Sequence, residues 1–398
     1  MMFLFLQFAI ADSTTWVQKA NMEAVSRHRC NDFSLGGKGY FGLGHHNSVA
    51  GVNNVFEDFW EYDPATDTWT QKANYGGGKI YHCFDFVIGN KAYVGCGRNS
   101  GGTQFNDMWE YDPVVNIWTK KADFPGSPRS GPKAFVIDSI AYAGSGLANN
   151  SNTDNAFYAY NPTTDSWSQI ATFPGPQRND GVAFSILKTG YYGTGLGDLG
   201  SSKDFWAYNP INNTWTQKAD VGPINRGAAI GFVINDLGYI MTGITSGMAL
   251  NDVWEYNPNT DSWTQMGDFP GTRRHFMASF VINKKAYCGS GTSGINFNDL
   301  WVFDSRFKSK SSNKINYDPY VIADNTSKGV HILLDEKIEK NKGSLKLIIL
   351  DGQNNNKFSG PYTGESTYFN GENLPAGIYF YQIHSNKKMI QYGRFELT

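Results

Sequence analysis

Basic side chains recur on a schedule in this chain: Arg27, Lys79, Arg129, Arg178, Arg226 and Arg274. Each follows a tryptophan (Trp16, Trp69, Trp118, Trp167, Trp215, Trp263) by eleven residues, or by ten for Lys79. Six cations held by one repeat would favour an anionic ligand, because guanidinium forks match carboxylates in two-point fashion. Histidines gather near the same level. His28 and His275 directly follow members of the basic series, and His45-His46 opens the long loop from Gly44 to Asp58. No His-x-His pair or tight set with carboxylates accompanies them, so a pH-sensitive or sugar-binding patch is expected in place of a metal site. Unrelated loop histidines are the leading reading ahead of such a patch.

A third series, Asp58, Asp107, Asp204, Asp252 and Asp299, with Asn155 in the third copy, precedes an aromatic by two residues. One carboxylate per repeat cannot converge on one Ca²⁺, so these residues are expected to cap strand entries. Cys83 falls opposite Cys96 if a turn is made at Gly89-Asn90, which allows a cross-strand disulfide in an oxidising compartment; packed free thiols are the alternative. The sequence offers no nucleophile with its base and no phosphate loop, hence no catalytic residue and no cofactor.

The elements that must position these residues are repeats. Trp60-Glu61-Tyr62-Asp63-Pro64 returns as Trp109-Glu110-Tyr111-Asp112-Pro113 and Trp254-Glu255-Tyr256-Asn257-Pro258, with looser copies at Phe157, Trp206 and Trp301. The tryptophans six to nine residues later are spaced by 53, 49, 49, 48 and 48 residues, so the copies stay in register. In every copy a Phe precedes a Tyr by seven residues, as in Phe232 to Tyr239, which spells strand, two-residue turn, strand. A Gly-x-Gly, a loop, an Asp-x-Trp strand and a final Trp strand complete four antiparallel strands per unit. A four-stranded sheet cannot bury both faces alone, and six arranged radially can.

These residues resemble the kelch repeat over roughly residues 16 to 305. The fold expected is therefore all-β: a six-bladed kelch β-propeller (residues 12–305) closed by an N-terminal strand, plus a small C-terminal β-sandwich. The last copy ends at Asp304-Ser305 without its outer Trp strand, and Trp16-Val17-Gln18-Lys19-Ala20 supplies one. The resemblance gives the recurrent Arg a structural use too, since in kelch repeats it commonly bonds loop carbonyls.

Beyond a polar linker at 306–319, residues 320–398 contain Leu374-Pro375-Ala376-Gly377-Ile378-Tyr379-Phe380 and a basic turn at Asn386-Lys387-Lys388 before a last strand. This resembles the C-terminal sorting domain of the type IX secretion system of Bacteroidetes-like bacteria, although the usual Asn-Pro pair is missing. An ordinary small β-domain is the alternative. The apolar run Phe3 to Phe8 followed by Ala9-Ile10-Ala11 reads as a signal peptide (1–11), without the basic residue that usually precedes one. No segment is long and apolar enough to be a membrane helix. The location expected is secreted or on the outer cell surface, with the secretion machinery as a partner.

A net charge of −2 argues against nucleic acid as the main partner. The function expected is a binding module for a glycan or protein ligand, an anionic one included, using loops on a rigid wheel. Two kelch enzymes are the alternatives: a sialic-acid mutarotase and, less well matched, a galactose-oxidase-like copper enzyme, which typically has seven blades.

Overall fold

The computed structural model describes residues 16–47, 53–148, 154–304, 321–323, 329–333, 345–351, 355–362, 366–371, 373–375, 377–385 and 388–397. The signal peptide at 1–11 and the linker at 306–319 lie outside the described residues.

Six four-stranded antiparallel sheets form the blades. Blade one comprises Asn31–Leu35, Lys38–Gly42, Phe59–Asp63 and Thr68–Lys72, and the next four blades repeat that order. The innermost strands touch in a closed cycle, with Asn31–Leu35 lying against Ala278–Ile282 of blade six. Each inner hairpin has the register of its Phe–Tyr spacing: Phe232 faces Tyr239, and Asn235 and Asp236 take φ of 52° and 61°, as a tight two-residue turn requires.

Blade-to-blade packing accounts for the repeat residue by residue. Phe280 lies flat on Gly39 of the next blade, where an added Cβ would sit 2.1 Å from the ring. Trp69 donates its Nε1–H to the Ala20 carbonyl at 3.2 Å, and Asp67 accepts both from Tyr62 Oη (2.7 Å) and from the Ala20 amide (3.0 Å). The same latch recurs at Tyr111–Asn116–Trp118 and Tyr160–Asp165–Trp167. A Trp-x-Tyr strand followed by Asp/Asn-x-Trp is thus the joint between neighbours.

Trp16–Lys19 pairs antiparallel with Leu300–Phe303 and supplies the outer strand of blade six. The ring is closed by its own N-terminal strand. Trp16 is 8% exposed and packs on Phe269 and Phe303. Trp16→Ala is expected to cost about 3–5 kcal/mol, as large-to-small core changes do. The midpoint of urea unfolding measures it, and a loss below about 1 kcal/mol would show that the clasp does not hold the ring.

The C-terminal region forms two further antiparallel sheets, one of three strands and one of four made of Asn356–Pro361, Leu345–Asp351, Gly377–Ser385 and Lys388–Leu397. Ile332 and Phe369 from the first meet Leu347, Tyr381 and Phe395 from the second in one core, which makes a sandwich. Its outer residues Leu350 and Phe380 cover Trp254 of blade five, whose ring centroid lies 5.8 Å from that of Phe380.

Candidate functional site

The chain enters each inner strand through a residue with positive φ: Arg29, His82, Gly131, Asp180, Ala228 and Phe276. That conformation turns one N–H and one C=O along the rim of the central channel. His82 donates to Arg29 O, Gly131 to His82 O, Asp180 to Gly131 O, Ala228 to Asp180 O, Phe276 to Ala228 O and Arg29 to Phe276 O. Six backbone hydrogen bonds of 2.8–3.3 Å therefore close a ring around the channel mouth, and its side chains project where a ligand would enter.

Three of these side chains carry charge or can carry it. His82 Nε2 is hydrogen-bonded to Asp180 Oδ1 across Gly131, where a Cβ would stand 3.1 Å from both. Burial pushes the Asp180 carboxyl up, but His82 and then Arg29 outweigh it and hold Asp180 below the usual carboxylate range. The Arg29 guanidinium lies 3.8 Å above the Phe276 ring. Tyr81 accepts from Arg98 Nε at 2.6 Å. Among the described residues Arg29 and Arg98 form no ion pair with a carboxylate. A bowl of about 320 Å³ opens above Arg29, His82, Arg98, Asn179 and Asp180. A cavity of about 120 Å³ lies below, inside the channel, lined by Arg29, His82 and Asp180 and further by Asp32, Asp85 and Lys133.

The recurrent basic series is placed differently. Arg27, Arg129, Arg178, Arg226 and Arg274 are at most 1% exposed. Arg226 donates to Asp252 at 2.8 and 2.6 Å and to Thr242 O at 3.2 Å; Arg27, Arg178 and Arg274 fork Asp58, Asp204 and Asp299 in the same way. Arg129 reaches Asp154, not Asn155, at 2.7 Å. The expected ring of free cations is therefore corrected, since these guanidiniums bind the chain itself. Lys79 is exposed and out of step, because Ile80 makes the backbone contact to Gly44 that the arginines make elsewhere. Asp58, Asp204, Asp252 and Asp299 of the Asp-x-Trp series are corrected from strand caps to counter-ions. Each also accepts from the Trp two residues on, as Asp107 does from Trp109 at 2.7 Å.

No family model and no curated protein matches the sequence. Among solved structures, that of YjhT is similar, with a TM-score of 0.61 over 73% of this chain and 97% of YjhT, at 16% identity. The wheel has a kelch-like β-propeller fold.

In this propeller His28 and His45 stack at 4.0 Å, and Tyr81 covers His45 at 4.3 Å. Burial first, and Arg29 next, lowers all three histidines of this wall: His28 far below its usual range, His45 to about 3 and His275 to about 4. These three are neutral near pH 7. His46 stands apart, bonded through Nδ1 to Ser26 O at 2.7 Å. Among the described residues no group of three or more His, Cys, Asp or Glu is arranged to hold a metal. The hairpin ladder ends at Phe84–Gly95, short of Cys83 and Cys96, which pack in different clusters as buried free thiols; Cys30 and Cys288 are free as well.

Deeper in the channel Asp32 and Asp85 lie together, with Asn31 donating to Asp85 at 2.7 Å. Burial raises Asp85 to about 6, and burial together with Asp85 raises Asp32 well above its usual range. A carboxyl with a raised folded-state pKa loses stability as pH climbs from its unfolded value to its folded one. Asp85→Asn is therefore expected to raise Tm at pH 8 and leave it unchanged at pH 4. An equal change at both would mean a packing effect alone.

Arg29, Asp180, Arg98 and Tyr81 escape a reading based on recurrence, because a repeat displays what its copies share. The signal available was the opposite one. Two residues beyond each basic position, and three beyond the out-of-step Lys79, the six copies read Arg, His, Gly, Asp, Ala and Phe, a variable site inside a constant frame.

Proposed function

We propose that the channel mouth binds an anionic small molecule, with an acidic sugar as the ligand class, and that the protein is a secreted or surface binding module. The observation that carries this is the contrast between two kinds of arginine. Five are paired with Asp side chains of the chain itself, whereas Arg29 and Arg98, beside Asp180 and Asp198 in the bowl, form no ion pair among the described residues. A ligand carboxylate would complete them, and Asn179, His82 and the aromatic Tyr81 beside them suit sugar hydroxyls and a sugar face.

The mutarotase alternative has one observation in its favour, the His82–Asp180 pair. Ring opening of a sugar needs a proton taken from the anomeric hydroxyl and one delivered to the ring oxygen as the C–O bond breaks. A His–Asp pair can perform such transfers. Ligand-observed NMR against a sugar panel including sialic acid tests both readings. Binding without faster anomeric exchange supports the module, faster exchange lost in His82→Ala supports the enzyme, and no binding by any acidic sugar overturns both.

Export belongs to the same proposal. It is supported by the apolar run before Ala9-Ile10-Ala11 and by the C-terminal sandwich with its Leu374-Pro375-Ala376-Gly377 segment. Deleting residues 320–398 is expected to leave the propeller inside the producing bacterium, measured by immunoblot of cells and medium. Unchanged release would remove the sorting role.

A further inference from the structure

We infer that a groove running outward over blade four is an oligosaccharide site: the acidic terminal sugar sits in the mouth and neutral sugars follow along the groove. The inference rests on the reading of the mouth given above. The groove has a volume of about 810 Å³, within the range of ligand sites. It joins the bowl at Gly197 and Asp198, which line both. One wall is the short hairpin of Leu196–Gly197 and Gly200–Ser201, which ends in Leu199, 91% exposed. That hairpin lies directly on the chain before Arg178, since a Cβ on Gly197 would meet Gln177 O at 2.2 Å. The mouth and the groove are thus one continuous trough.

The chemistry of the trough changes along its length. At the mouth the guanidiniums of Arg29 and Arg98 stand beside Asp180 and Asp198 without an ion pair to them among the described residues. In the groove its charged groups are Asp198, Asp220, Asp204 and Lys203, of which Lys203 pairs with Asp220 at 3.7 Å and Asp204 with Arg178. Carboxylates there disfavour a second anion and accept hydroxyl hydrogens. The half-buried indole of Trp206 is held edge-on by Phe173 (centroids 5.7 Å) and by its Nε1–H on Asp204 Oδ2 at 2.8 Å. An aromatic face fixed in this way, beside Gln217 across the strand pair, fits the apolar face of a sugar ring with its hydroxyls outward. The matching Trp254 of blade five is covered by the C-terminal sandwich, so blade four keeps what blade five has lost.

The test uses the full chain, with sialic acid, the trisaccharide sialyl-lactose and lactose as probes, by calorimetry and tryptophan fluorescence. The trisaccharide is expected to bind about tenfold more tightly than sialic acid, as one stacked ring would give. Trp206→Ala and the surface change Leu199→Asp should each erase that gain and leave sialic acid unchanged. Trp206→Tyr, the residue type that blade three carries at Tyr158, should keep part of it. If the trisaccharide binds no better than sialic acid, the groove proposal is overturned while the mouth stands. If only lactose binds, in a Trp206-dependent manner, the mouth reading fails and the groove holds. Binding by none of the three removes both.

Discussion

Arg226→Ala is expected to destabilise the propeller by about 3–5 kcal/mol, the usual cost of leaving a buried carboxylate without its partner. Arg226 has no exposed surface, and Asp252, itself buried, takes two of its hydrogen bonds while Thr242 O takes a third. Removing the fork strands Asp252, whose carboxyl is pushed up by burial and held below its usual range only because Arg226 and then Trp254 outweigh that burial. In a domain of this size the change corresponds to a fall in Tm of roughly 10 °C. The double variant Arg226→Met/Asp252→Asn should recover much of the loss, because no charge is then left buried. Folded Arg226→Ala protein should bind acidic sugars as the wild type does. A large loss of affinity without loss of stability would restore the basic series as a ligand site.

Arg29→Met should show the converse: acidic-sugar affinity falls about 10- to 100-fold, the range for losing one charged hydrogen bond, while Tm moves little. The side chain is held by stacking on Phe276 and by no carboxylate fork, so little of the fold depends on it. Wild-type affinity should weaken with added salt, and the Arg29→Met variant should lose most of that dependence. Calorimetry at two salt concentrations measures both. Unchanged affinity and unchanged salt dependence would place the anion elsewhere. Arg27 and Arg29 are only two residues apart, yet their predicted effects are opposite in kind.

The folding of this chain into a closed wheel was settled by local sequence. The Phe–Tyr hairpins, the Tyr62–Asp67–Trp69 joint and the orphan strand at Trp16 are each set by spacing within one repeat or by a missing piece of one. Such features are legible because period and turn chemistry depend on neighbours in the chain. The hairpin register from Phe84–Gly95 to Ile88–Lys91 is of the same kind, whereas the ladder stops before Cys83 and Cys96, and the thiols remain free.

Only the tertiary structure decided which charges are available to a ligand. In the sequence Arg27 and Arg29 are equivalent cations; the fold gives one a counter-ion, Asp58, 31 residues away, and leaves the other on the rim. Likewise His82 and Asp180 are 98 residues apart and meet only because the ring of backbone hydrogen bonds places Gly131 between them. Recurrence marks the scaffold, since each blade must solve the same packing problem. The site arises where six different side chains converge on one axis, and convergence follows from closing the ring.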